Sequence, residues 1–136
     1  VAHKIEIDSF FTKQDGANTP EEILAFNVEN LYDEVSDILD MHLYSYKGNV
    51  AIYLNGKELK QALYDRFMRE LDYLAIYHSE GNTIYISEEG LRVGILAHEM
   101  AHAIIDHYFV VKPPIRIQEV LAGFVEYNIR KKLKGK

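Results

Sequence analysis

Two histidines and a glutamate stand within five residues, in the run His98-Glu99-Met100-Ala101-His102. Residues four apart on an α-helix lie one above the other on the same face. Both imidazoles can therefore reach one metal ion. Glu99 follows the first histidine directly and projects about 100° further round the helix. Its carboxylate then meets a water on such a metal rather than the metal itself. The chemistry these residues could support is metal-assisted hydrolysis, with a carboxylate to take and return the proton.

The pattern works only on a helix. The sequence predicts one from Glu88 to His107, with Ser87 as its N-cap and Glu88 and Glu89 in a first turn where the helix dipole favours acids. Ile95, Leu96, Ala97, Met100, Ala101, Ala103, Ile104 and Ile105 surround the motif, so the helix is expected to be buried on most sides. Polar groups inside such a helix are costly unless they are paired or bound to metal.

A catalytic zinc usually takes three protein ligands and leaves one position open. Asp106, Glu119 and Glu126 are the downstream candidates. Asp106 lies one turn beyond His102 and would have to reach back along its own helix, so it reads as a helix-end aspartate. Glu119 and Glu126 fall on a final helix, seven residues apart. They share a face but sit about 10 Å apart along the axis, so only one can reach the metal. Glu119 lies beside Val120-Leu121-Ala122-Gly123, a run suited to close packing, and is the expected ligand. Glu126 reads as a surface carboxylate or one that supports a ligand from behind.

The run His98-Glu99-Met100-Ala101-His102, followed by Gln118-Glu119-Val120-Leu121-Ala122 on a later helix, resembles the gluzincin group of zinc metallopeptidases, in particular its minimal single-domain members. The resemblance covers about the last 60 residues well and the first 70 only as a generic α+β pattern. It implies a zincin-like fold, with a small mixed β-sheet packed by helices and an active-site helix followed by a glutamate-bearing helix. It implies one Zn2+ per chain on His98, His102 and Glu119, Glu99 as general base and acid, and hydrolysis of a peptide bond. It further implies an edge strand directly before the active-site helix, so Thr83, Ile84, Tyr85 and Ile86 are expected to bind an extended peptide or protein substrate. The chain departs from the family in two places. Many gluzincins carry an aspartate four residues after the ligand glutamate to hold a ligand histidine, and here that position is Gly123. Larger members add a subdomain that supplies an oxyanion stabiliser, and no residue here takes that role by position. His107, Tyr108, Tyr77 and Tyr127 are uncommitted candidates.

The remaining elements must position this pair of helices. Lys4–Asp8 alternates as a strand does, Phe10–Asn18 reads as a loop with a turn at Asp15-Gly16, and Thr19-Pro20-Glu21-Glu22 opens a helix to about Met41. Val50–Leu54 is a strand, extended by Tyr44 and Tyr46 or preceded by a further strand there. Gly56–Leu71 is a helix. Leu74–His78 and Thr83–Ser87 form a hairpin across Ser79-Glu80-Gly81-Asn82. Pro113-Pro114 breaks the chain before a last helix from Ile115 to Leu133. The 136 residues suit a single α+β domain spanning 1–136.

A net charge of −6 speaks against nucleic acid as the main partner. The absence of cysteine excludes a thiolate zinc site and a disulfide framework. No stretch approaches the ~20 apolar residues of a membrane span. The chain begins at Val1, as a processed or excised form does, and is expected to be soluble, cytoplasmic or exported after loss of a signal peptide. Oligomeric state is not legible. The competing expectation is a catalytically inactive or latent zincin-fold binding or regulatory module that keeps the metal as a structural element.

Overall fold

The computed structural model describes residues 3–8, 20–43, 46–71, 73–87 and 92–134. In chain order these form β1 (His3–Asp8), α1 (Pro20–Leu39), β2 (Lys47–Tyr53), α2 (Gly56–Phe67), β3 (Ala75–His78), β4 (Thr83–Ser87), α3 (Val93–Tyr108) and α4 (Ile115–Lys134). The α+β arrangement is as the sequence implies. The expected loop at 10–18, the Thr19 cap, Tyr44, and the first-turn residues Glu88 and Glu89 lie outside the described residues.

The strands make one mixed sheet in the order β1-β2-β4-β3. β1 and β3 run antiparallel to their neighbours, and the central pair β2 and β4 is parallel. Alternation along the strands divides the core in two. Val50, Ile52, Ile84 and Ile86 face a large cluster with residues of α1, α3 and α4. Ala51 and Tyr85 face the other way, against Leu59 and Leu63 of α2. Since β4 is covered on both faces, all five of its residues are buried.

This order corrects one expectation. Thr83, Ile84, Tyr85 and Ile86 are not an edge strand, because β2 and β3 hydrogen-bond to β4 on its two sides. The edge beside the metal-motif helix is β3, one strand earlier in the chain.

A second correction concerns the start of the motif helix. Ser87 is not its N-cap. Ser87 closes β4, fully buried, paired with Tyr53 and donating its N–H to Leu74 O at 3.3 Å. The helix starts at Val93 with Arg92 in the cap position and no side-chain cap. Other ends have local causes. α2 stops at Phe67 rather than Leu71 because Met68 turns left-handed, at φ 57°, and its N–H closes on Tyr64 O. α1 ends at Leu39, where Asp40 has φ 53°.

α3 carries its buried row Leu96, Ala97, Met100, Ala101, Ala103, Ile104 and Ile105 into the core, as the apolar pattern requires. After the Pro113-Pro114 break, α4 begins with Ile117 and Gln118 both donating backbone N–H groups to Pro114 O. It returns along α3, with Ala122, Val125 and Ile129 fully or almost fully buried. No described helix is long and apolar enough to cross a membrane.

Candidate metal centre

The expected ligands come together. His98 and His102 stack one turn apart on α3, with ring centroids 5.2 Å apart. Glu119, on α4, reaches across to both. One carboxylate oxygen is in contact with His102 Nε2, and the other lies 3.6 Å from His98 Nε2. Among the described residues, these three are the only set of histidine and carboxylate side chains whose ligand atoms converge, all within 4.8 Å of one another.

The far sides of the two rings are also held. His98 Nδ1 lies 2.9 Å from Glu126 Oε1, and the second Glu126 oxygen pairs with Arg130 at 2.5 Å. A carboxylate engaged by an arginine only accepts, so His98 Nδ1 carries the hydrogen. Gln118 donates its amide N–H to Pro113 O at 2.9 Å, which turns its oxygen toward His102 Nδ1 at 3.4 Å. Both rings are thereby held from behind at Nδ1 and turn their Nε2 atoms toward Glu119. Two imidazole Nε2 atoms and a carboxylate that converge in this way make a donor set that suits zinc among the common divalent metals. The donor set fits the metal that the motif implies.

Glu126 supports His98 from behind, the second of the two roles the sequence left open for it. At Gly123 an added Cβ would meet nothing within 4 Å, so that position faces away from the site. Asp106 is not a ligand. It pairs with Lys112 at 2.5 Å and accepts from the Tyr77 hydroxyl at 3.2 Å.

Glu99 sits beside the ligands at the floor of a cleft of about 660 Å³. One of its oxygens accepts the Tyr77 backbone N–H at 2.9 Å, which ties α3 to the edge strand. Burial pushes the Glu99 carboxyl up to about 7, with Glu119 and Glu126 adding to the rise and His102 and the Tyr77 N–H opposing it. β3 forms one wall of the cleft, and α4 with the residues before it forms another through Lys112, Ile115 and Glu119.

Of the uncommitted candidates, only Tyr77 lines the cleft, and its hydroxyl is engaged by Asp106 and by Asn82 Oδ1 at 3.0 Å. His107 turns to Ala103 O at 2.8 Å. Two groups the sequence did not single out do line it: Lys112, held by Asp106, and Tyr73, half exposed at the foot of β3. No sequence signal marked them, because both lie outside the helices and strands and reach the cleft only through the tertiary fold. No known family model, curated protein or solved structure matches the chain, so the functional conclusion rests on the geometry of this centre.

Proposed function

We propose that the protein is a zinc-dependent peptidase, of the gluzincin kind that its motif resembles, with peptides or proteins as substrates. One observation carries this reading: two Nε2 atoms and a Glu119 carboxylate converge at a cleft floor that also holds Glu99, beside an open strand edge. His98, His102 and Glu119 would hold the metal. When bound, zinc supplies Lewis acidity, polarising the scissile carbonyl and acidifying water.

The chain's own groups do the rest. Glu99 Oε1 is steadied by the Tyr77 N–H, and the carboxylate takes a proton from the attacking water and returns it to the leaving amine. β3 replaces Thr83–Ile86 as the strand that pairs with substrate. The Tyr77 N–H points away from β4, so the residue one step back on the same side, Ala75, turns its N–H and C=O to the same open edge. An extended peptide laid there gains strand hydrogen bonds and has its backbone set over the ligands.

A second reading, a metal-binding module without turnover, is favoured by the same Tyr77–Glu99 bond. That bond occupies one oxygen of the base and one pairing group of the edge. Zinc content by elemental analysis and cleavage of a mixed peptide library separate the two. About one zinc per chain with cleavage abolished by Glu99→Gln supports the peptidase. Zinc without cleavage of any peptide supports the module, and no zinc refutes both.

A further inference from the structure

We propose that Gly94, Arg130 and Glu126 form a positioning relay behind the metal centre, in which a gap in α3 lets Arg130 pin Glu126 and Glu126 in turn fix the His98 ring. The inference rests on the metal-binding part of the proposed function and extends it to residues that touch no substrate.

Gly94, His98 and His102 are spaced by four and form one row up the face of α3 that looks at α4. The partners on α4 descend in the opposite sense. Gln118 and Glu119 meet His102, Glu126 meets His98, and Arg130 meets Gly94. The lowest rung is a glycine in the first turn of a buried helix, where glycine is a poorer helix former than alanine. The space it leaves is filled. A Cβ at Gly94 would lie 2.7 Å from Arg130 Nε, 3.1 Å from Cγ and 3.4 Å from Cδ. The middle of the arginine side chain therefore lies in the slot the glycine opens, and from there its guanidinium reaches Glu126 Oε2 at 2.5 Å.

A methyl group at 94 forces this stretch of Arg130 to move. The side chain is long and its head half exposed, so it can swing out to solvent and the fold survives. The ion pair does not survive, and Glu126 then loses the contact that fixes its second oxygen. A carboxylate free to rotate holds His98 Nδ1 less firmly, so the ring pays more entropy on meeting a metal. Groups of this kind typically change metal affinity 10- to 100-fold when removed.

The test measures Co2+ and Zn2+ affinity by competition with a chromogenic chelator, together with the visible absorption of the Co2+ form, whose intensity and band positions report ligand geometry. Glu126→Gln and Arg130→Met are expected to weaken metal binding about 10-fold or more and to change the Co2+ spectrum. Gly94→Ala should do the same while leaving thermal stability equal or higher. The combination of Gly94→Ala with Arg130→Met should bind no more weakly than Arg130→Met alone. Gly123→Ala, on the same pair of helices but in open space, should leave affinity and spectrum unchanged. Arg130→Lys should restore part of what Arg130→Met loses. Wild-type affinity in both Gly94→Ala and Arg130→Met overturns the relay while leaving the metal centre standing. Should Gly94→Ala fail to fold, Arg130→Met and Glu126→Gln decide the matter on the same terms. A wild-type protein that takes up neither metal overturns the centre and the relay together.

Discussion

Asn82 is the corner on which the edge strand depends, and its replacement has a calculable cost. It sits at the end of the β3–β4 turn with φ 46°, a left-handed conformation that asparagine tolerates and alanine does not. Its Oδ1 accepts from the Tyr46 hydroxyl at 2.8 Å and shares the single Tyr77 hydroxyl hydrogen with Asp106, at 3.0 Å against 3.2 Å, and its Nδ2 donates to Lys47 O. Asn82→Ala removes the Tyr46 bond, at about 1 kcal/mol, and half of the shared Tyr77 bond, at about 0.5 kcal/mol, and adds about 1.5 kcal/mol of backbone strain. The exposed bond to Lys47 O adds little. The sum is about 3 kcal/mol. Asn82→Gly loses the same bonds without the strain, so it should cost about 1.5 kcal/mol. Urea unfolding with an unchanged slope measures both, and the alanine variant should melt about 10 °C lower. Equal losses in the two variants would refute the conformational part of the reasoning. A loss below 1 kcal/mol in both would refute the tyrosine bonds. The consequence for function follows from the same contacts, because Tyr77 is the residue whose N–H steadies Glu99.

Glu119→Ala should abolish stoichiometric zinc, measured by elemental analysis, while Glu126→Ala should retain zinc at millimolar supply and lose it at lower chelator concentration than wild type. Glu99→Gln should keep the metal and lose peptide hydrolysis by at least 100-fold, the usual scale for a general base. In the metal-free protein the Glu99 carboxyl is raised from 4.5 to about 7, so the fold favours its neutral form. Its contribution to stability is greatest below pH 4.5 and falls as pH rises to 7, by at most about 3 kcal/mol. Urea melts of chelator-treated wild type and Glu99→Gln between pH 5 and 8 should converge at low pH and separate at high pH, with the glutamine variant the more stable. Ile104→Ala, at a fully buried position of α3, should cost 2–5 kcal/mol by the usual scale for core truncation, read from the same unfolding curves.

What was legible in the sequence was whatever depends on neighbours along the chain. The four-residue spacing of His98 and His102 needs only a helix, and the Pro113-Pro114 break that precedes α4 is equally local. The errors arose where distant pairing decided. Ser87 followed by two glutamates has the composition of a helix start, yet Tyr53 and Leu74 claim it for the sheet. Thr83–Ile86 precedes the motif helix in sequence, and that order suggested an edge. Its content argued otherwise, since Ile84, Tyr85 and Ile86 are apolar toward both faces, as a central strand must be. Sheet order follows from which strands pair, and a parallel partnership between β2 and β4, whose paired residues such as Val50 and Ile84 are 34 apart in sequence, leaves no local mark.

The role of Glu126 stayed open between a surface carboxylate and a support for a ligand for a related reason, although a clue was present. Glu119 and Glu126 are two turns apart on one helix, and His102 and His98 are one turn apart on the other. Read as competitors for one metal, only one glutamate can win. Read as rungs between antiparallel helices, both have work: Glu119 faces the Nε2 side of the rings and Glu126 the Nδ1 side of the lower one. The i,i+4 partner Arg130 was the visible sign, since it marks Glu126 as a carboxylate held in place. The two helices that carry these rungs also share one core cluster, to which α3 gives Ala97 and Ala101 and α4 gives Ala122, all fully buried. Small residues bring the helices close, and closeness lets short carboxylate side chains span from one helix to the rings on the other. Substituting a larger apolar residue for Ala101 or Ala122 would therefore push the ligands apart as well as strain the core. Metal affinity and stability should fall together at those two positions, in contrast to Gly94→Ala, where only affinity falls.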